Sequence, residues 1–263
     1  MALNTMSVAA SKMGQFDMTA EVPRVRDATP ALSSTVPPML SFVSGFVDTI
    51  GFIGLFGLLT SQVTGSFVAA GSGLVHYEPG LVAKLMAIPV FMAGAVVMTL
   101  LVAVLTRFKV NPLPWALVVV GCLISGYLAV ALQWPIASLD SSVGLAAAFM
   151  AFLAMGAESA LVRVLFKGSV PANFMTGNVT QVAVETTDMV LAKFRLLFDG
   201  DENQNATRAA AAYRQLGVLI PMIFGFILGC VAAAHAFIAF GFWSLVIATA
   251  IVFLAAILAY VRG

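Results

Sequence analysis

Charged residues are scarce in this chain: Asp, Glu, Lys and Arg make up 10% of its 263 residues, whereas hydrophobic residues make up 61%. Soluble domains carry about 25% charged residues. A soluble core of this size could not bury so much apolar surface, so the composition predicts a protein whose solvent is the lipid bilayer. The net charge of +1, without a basic stripe, argues against nucleic acid as a partner.

Cysteines and catalytic motifs are also lacking. Cys122 and Cys230 both fall inside apolar segments and form neither a redox motif nor a metal-ligand spacing. The sequence holds no Ser/His/Asp triad, no His-Glu-x-x-His pattern and no phosphate-binding loop. We therefore expect no enzyme activity, no cofactor and no metal site.

Long apolar runs fill most of the chain, and a membrane-spanning helix needs roughly 20 apolar residues. Six runs have this length and are predicted to span, at about 39–59, 81–106, 113–133, 143–165, 212–234 and 237–260. Two more apolar stretches contain polar residues and are interpreted as half-helices that enter the bilayer partway, at about 61–75 and 171–190. Residues 1–37 are predicted to be a flexible cytoplasmic tail, and a polar insertion near 192–212 is predicted to be cytoplasmic.

Lysine and arginine lie almost entirely on one side of this predicted topology. With the N-terminus inside, the outer side holds only Lys84. Because cytoplasmic loops carry the excess of Lys and Arg, both termini are expected in the cytoplasm. Arg163, near the end of the fourth predicted span, is expected to extend to the inner surface rather than pair with Glu158.

Two short motifs stand in corresponding places in the two halves of the chain. Thr64-Gly65 follows an apolar segment that carries Asp48, and Thr176-Gly177 follows one that carries Glu158. An acid at membrane depth costs roughly 2.5–3.5 kcal/mol on insertion scales, and such residues usually face a site. The two carboxyls are therefore candidates for substrate binding and for carrying a coupling proton. The alternative is that they are protonated or hydrogen-bonded structural groups.

Other residues repeat in the same order. Pro89 matches Pro221, and Trp115 and Trp243 begin similar runs. Since each half holds three predicted spans, the second half would enter the membrane from the opposite side. The sequence thus predicts an all-α membrane protein of about six transmembrane helices plus two half-helices. We expect these to form two inverted three-helix repeats, at 38–133 and 142–261.

The Thr-Gly motifs predict a site between the repeats. If each begins a half-helix, its free N–H groups and the positive end of its dipole point into that site, which suits an anionic or strongly polar solute. The alternative is that Thr-Gly only packs two helices closely. The candidate substrate-binding residues are Asp48, Ser61, Gln62, Thr64, Gly65, Ser66, Glu158, Asn173, Thr176, Gly177 and Asn178.

A stripe of small residues recurs at every fourth position of the fifth predicted span. Its glycines are Gly217, Gly225 and Gly229. Such a stripe predicts a close-packing face, either inside the chain or between subunits of a homo-oligomer.

Several runs resemble one known family. The first half contains Leu40-Ser-Phe-Val-Ser-Gly-Phe-Val-Asp-Thr-Ile-Gly-Phe52 and then Val63-Thr-Gly-Ser66; the second contains Gly156-Ala-Glu-Ser-Ala160 and Met175-Thr-Gly-Asn178. Over roughly 38–261 the chain resembles the YoaK family of bacterial integral membrane proteins. Ser66 stands where that family usually has Asn, and Glu158 where it often has an amide. The resemblance implies a multi-pass protein of the bacterial inner membrane and no particular substrate.

Together these patterns lead to one hypothesis and two alternatives. The hypothesis is a proton-coupled secondary transporter of a small polar or anionic solute that works by alternating access between inverted repeats. One alternative is a small-solute or ion channel in which the half-helices form the constriction. The other is a non-transporting membrane assembly or sensory protein. The expected partners are the lipid bilayer and a small solute.

Overall fold

A computed structural model describes residues 30–76, 79–133, 135–166, 173–198 and 202–262. Within these ranges the chain folds into helices without strands. Eight α-helices and one 3-10 turn follow each other in the described part. They are α1 (Pro30–Gly54), α2 (Val63–His76), α3 (Leu81–Arg107), α4 (Pro112–Gln133), α5 (Ser142–Leu165), α6 (Met175–Phe198), α7 (Glu202–Phe240), the 3-10 turn (Gly241–Ser244) and α8 (Leu245–Arg262).

Five helical segments in the described residues are long and apolar enough to cross a membrane, so this is a multi-pass membrane protein. They are Thr35–Gly54, Leu81–Arg107, Pro112–Gln133, Ser142–Leu165 and Asn205–Arg262. The sequence predicts six spans, and the difference arises in the last segment. There α7, the 3-10 turn and α8 form one apolar stretch of 58 residues. At 1.5 Å per residue it would be about 87 Å long, nearly three times the hydrocarbon thickness.

Three predicted boundaries need correction. Residues 30–37, predicted as tail, belong to α1, while residues 1–29 lie outside the described part. The second half-helix runs from Met175 to Phe198 instead of ending near 190, and α7 begins at Glu202. The predicted insertion near 192–212 is therefore helical wherever it is described. The apolar pattern did not predict these helix ends, because Lys193 and Arg195 interrupt the end of α6 and the start of α7 is polar. Both ends form where α6 packs along α7.

The first apolar helix is interrupted by a sharp break. It ends at Gly54 because the next residues turn the backbone: Phe56 has φ 53° and Gly57 has φ 84°, both in the left-handed region. Residues 55–62, here called the first break, then lead into α2, which has 14 residues and is too short to cross a bilayer. The second break lies between α5 and α6 and is described at residues 166, 173 and 174.

α1 packs lengthwise against α7. A Cβ added at Gly225 would overlap the carbonyl oxygen of Pro38, and one at Gly229 would overlap that of Phe42. Near the other end, a Cβ at Gly54 would lie 3.1 Å from the ring of Phe237. The contacts advance together along both helices, so α1 and α7 run parallel.

These contacts show what two of the three glycines in the stripe pack against. Gly225 and Gly229 face α1 of the same chain, so a subunit interface through them would have to displace that helix. Gly217 differs, because a Cβ there would have no atom within 4 Å. Two of the three glycines therefore serve packing inside the chain, which is the internal alternative for this stripe.

α3 and α5 form a second pair of helices that pack along each other. At their starts, the Gly80 N–H donates to both carboxylate oxygens of Asp140, at 3.0 and 3.1 Å. Further along, a Cβ at Gly94 would overlap the Leu153 oxygen. These two helices also run parallel, and each comes from a different half of the sequence.

α8 packs along α4 in the opposite sense. The Tyr127 ring, near the end of α4, lies 6.1 Å from that of Phe242 in the 3-10 turn. At the other end, Pro114 and Tyr260 line one groove. α4 and α8 are therefore antiparallel, and each contacts the first helix of the other half, α8 with α1 and α4 with α5.

Candidate functional site

Asp48 holds the first break in place. Its Oδ1 accepts hydrogen bonds from the backbone N–H groups of Thr60, at 2.6 Å, and Ser61, at 2.9 Å. The Thr60 hydroxyl lies 3.3 Å from the same oxygen, and Gln62 Nε2 lies 3.4 Å from Oδ2. The side chain is only 3% exposed. Because both oxygens are used within its own half, Asp48 holds the chain folded back against the last two turns of α1.

Glu158 has a different environment. It is fully buried on α5, and its Oε2 accepts a hydrogen bond of 2.8 Å from the Ser44 hydroxyl on α1. Its Oε1 has no hydrogen-bond partner among the described residues. A buried polar atom without a partner carries a desolvation cost of about 1–3 kcal/mol. Glu158 therefore joins the two halves through one oxygen and leaves the other available for a proton or a ligand.

The two breaks touch each other directly. Asn173 Nδ2, in the second break, donates to the backbone oxygen of Ser61 in the first, at 3.4 Å. The Ser159 hydroxyl, one residue after Glu158, donates to Asn173 Oδ1 at 3.2 Å. Polar groups at these backbone interruptions thus satisfy one another, as irregular backbone at membrane depth requires.

A cavity of about 750 Å³ lies where the breaks meet. Both breaks line it, together with the starts of α2 and α6 and one face each of α3 and α5. Its lining residues are Ser61, Gln62, Val63, Thr64, Phe91, Ser159, Arg163, Asn173, Phe174, Met175, Thr176, Gly177, Thr180 and Gln181. The Thr-Gly motifs of both halves therefore reach a single cavity. Its size falls within the usual range of small-molecule sites, about 300–1,000 Å³.

Six of the eleven candidate residues line this cavity: Ser61, Gln62, Thr64, Asn173, Thr176 and Gly177. The other five are not among its lining residues. They are Asp48 and Glu158, described above, and Gly65, Ser66 and Asn178.

Gly65, Ser66 and Asn178 each have different surroundings. A Cβ at Gly65 would approach the Leu59 side chain to 2.8 Å. The Ser66 hydroxyl donates to the Leu59 oxygen at 3.0 Å. Asn178 is fully buried, and neither polar atom of its side chain has a hydrogen-bond partner among the described residues.

Several lining residues were not among the candidates. Arg163, predicted to extend to the inner surface, lines the cavity, and so do Phe91 on α3 and Thr180 and Gln181 on α6. A helical spacing argument could have found Arg163, because it lies four residues after Ser159 on the same face of α5. Ser159 itself follows Glu158 in the repeated motif. Phe91 could not have been found, since only the packing of α3 against α5 brings it there.

The described part of the site lacks a cluster of side chains that could bind a metal ion. Among the described residues, no group of three or more His, Cys, Asp or Glu side chains is close enough to do so. What the arrangement offers is hydroxyl and amide side chains, one guanidinium group and the N–H groups at two helix starts. Groups of these kinds can hydrogen-bond a polar molecule, and the described lining residues include no nucleophile–base pair.

Comparison with known proteins places the chain in a family. No curated protein and no solved structure matches it. A family model described as "Protein of unknown function (DUF1275)" matches residues 38–258, which include both breaks, both Thr-Gly motifs and all the cavity-lining residues. Nearly the whole range over which the sequence resembles YoaK proteins is covered by this match. Since it spans well over half of the chain, the protein belongs to the family described as "Protein of unknown function (DUF1275)".

Proposed function

We propose that this membrane protein is a secondary transporter of a small polar solute, which binds in the cavity between the two breaks. The observation that carries the proposal is that cavity itself. It is lined from both halves of the chain by the starts of two helices that follow interruptions in apolar helices. Discontinuous helices whose ends meet at a central site are typical of secondary transporters. A non-transporting assembly protein would have no need of a polar cavity at this depth.

The packing supports an inverted repeat. Exchanging the halves turns the α1–α7 pair into the α5–α3 pair, and both pairs are parallel. The same exchange turns the antiparallel α4–α8 pair into itself and matches the α2–α3 contact with the α6–α7 contact. Six crossings, with α7 and α8 as separate spans, account for all these directions. We therefore infer that α7 and α8 cross once each and that the second repeat is inverted.

The helix contacts suggest which groups would move. α1, α6 and α7 pack as one group, and α2, α3 and α5 pack as another. The cavity lies between them, with Thr176 at one wall and Phe91 at the other. Rocking of one group against the other would open the cavity first to one side of the membrane and then to the opposite side.

Glu158 is the better candidate for the coupling proton. It lies at the contact between the two groups, through its hydrogen bond with Ser44 on α1. Its second oxygen is unpartnered among the described residues, so gain or loss of a proton there changes the hydrogen bonding that joins the groups. Asp48 accepts hydrogen bonds from the backbone N–H groups of the first break, and we assign it a structural role.

A bulky side chain in the cavity tests the proposal. Thr176 is exposed to the cavity, so Thr176→Trp should fill the space without disturbing a packed core. We expect uptake into proteoliposomes to fall at least about tenfold, as a panel of labelled small acids, amino acids and sugars would show. The matched control is Val97→Trp, on an outward face of α3, which should keep wild-type uptake.

The same vesicles separate a transporter from a channel. Preloading them with unlabelled solute should accelerate entry of labelled solute, because a transporter exchanges one molecule for another. A channel gives no such acceleration and no saturation.

Wild-type uptake by a correctly folded Thr176→Trp protein would contradict the assignment of the cavity as the transport site.

A further inference from the structure

The cavity carries positive charge without a compensating acid among its described lining. Arg163 is the one charged side chain in that lining, and no Asp or Glu belongs to it. Three acids stand directly behind the lining. Asp48 accepts from the Thr60 and Ser61 N–H groups, Glu185 accepts from Gln181 at 2.6 Å, and Glu158 accepts from the Ser44 hydroxyl.

The start of α6 adds positive potential to that of Arg163 in the cavity. Its first three residues, Met175, Thr176 and Gly177, all line the cavity. The first N–H groups of a helix lack intrahelical acceptors, and the helix start carries a partial positive charge. Asn178 N already donates to the Phe174 oxygen at 3.0 Å, so the donors open to a ligand are those of the three preceding residues.

A second feature lies in the first break. Ser61 lines the cavity and is only 5% exposed, and its backbone N–H donates to Asp48. Its hydroxyl lies near the same carboxylate but makes no hydrogen bond of good geometry with a described residue. A buried hydroxyl of this kind is stabilised when a ligand supplies an acceptor. Phe91 and Phe174 provide apolar wall beside these polar groups, which suits a solute with an organic part.

We propose that the solute is a small organic anion whose carboxylate, or a similar oxoanion group, binds between Arg163, the start of α6 and the Ser61 hydroxyl. This rests on the proposed function only in that the bound anion is also the transported solute; the anion site itself follows from the lining. The guanidinium group and the backbone N–H groups are the donors that match carboxylate oxygens.

Charged thiol reagents test the site without knowledge of the solute. The protein is prepared with Cys122→Ala, Cys230→Ala and Thr176→Cys, and the rate of modification is measured with an anionic sulfonatoethyl and a cationic trimethylammonioethyl methanethiosulfonate. Each rate is divided by the rate of that reagent with 2-mercaptoethanol. We expect the corrected anion-to-cation ratio to be about tenfold or more, because opposite charges meet opposite potentials in the cavity.

Two further measurements test whether Arg163 and electrostatic attraction cause the preference for the anionic reagent. Arg163→Gln should lower the ratio at least about fivefold, and raising the salt from 0.05 to about 0.5 M should move the ratio of the unsubstituted site toward one. Cation preference, or a ratio that neither change alters, would overturn the proposal. If Thr176→Cys keeps the anion preference while uptake assays find no transport, the transporter assignment fails and the anion site stands.

Discussion

Replacing Gly229 with alanine should destabilise the protein by more than about 2 kcal/mol, although it adds only one methyl group. That methyl would overlap the backbone oxygen of Phe42 and lie 3.0 Å from the backbone nitrogen of Phe46. Backbone atoms cannot rotate away as a flexible side chain can, so α1 would have to move as a unit. Because α1 also carries Asp48 and Ser44, that movement would reach the cavity.

Gly217 provides a matched control on the same helix. A Cβ there meets no atom within 4 Å, so Gly217→Ala should be neutral or should stabilise by about 0.5–1 kcal/mol through helix propensity. The measurement is the midpoint temperature at which each detergent-purified variant loses its monodisperse peak on size-exclusion chromatography. Equal midpoints for the two variants would show that α1 and α7 do not pack as closely as described.

Glu158 and Asp48 should respond to mutation in opposite ways. Glu158→Gln keeps an oxygen to accept from Ser44 but cannot exchange a proton, so folding should persist while uptake no longer responds to an imposed pH gradient. We expect at least about a tenfold loss of gradient-driven uptake and near-normal solute exchange at equal pH. The readout is uptake into proteoliposomes with and without the gradient.

Asp48→Ala should act on stability first. It leaves the N–H groups of Thr60 and Ser61 without their acceptor, and each buried donor without a partner costs about 1–3 kcal/mol. We expect a lower midpoint temperature, with loss of uptake following from loss of fold. A stable Asp48→Ala protein that transports but ignores the pH gradient would reverse the two roles and assign coupling to Asp48.

Composition and the repeated motifs predicted the membrane environment and the position of the site. The bilayer environment follows from scarce charge and long apolar runs. Both Thr-Gly motifs were predicted to reach one site, and Thr64 and Thr176 line the same cavity. These features are readable because they depend on local pattern and on a repeated order of residues.

Features that depend on contacts between distant parts of the chain could not be predicted from the sequence. Whether Asp48 faces a solute or the backbone depends on how residues 55–62 fold back, which no periodicity encodes. The glycine stripe predicted close packing but not whether α1 or a second subunit would fill it. The length of α6 was underestimated because Lys193 and Arg195 interrupt the apolar run, whereas the helix continues through them to Phe198 beside α7. In each case tertiary packing decided between structures that local sequence left equivalent.

If the protein works by alternating access, the cavity that Thr64 and Thr176 line opens in turn to the two sides of the membrane. The accessibility of single cysteines, Thr64→Cys or Thr176→Cys, can be measured in oriented proteoliposomes of protein that lacks Cys122 and Cys230. A membrane-impermeant thiol reagent is added either outside or inside the vesicles. We predict that each cysteine reacts from both sides and that a pH gradient shifts the ratio of the two rates. Reaction of each cysteine from one side only, whatever the gradient, would contradict alternating access.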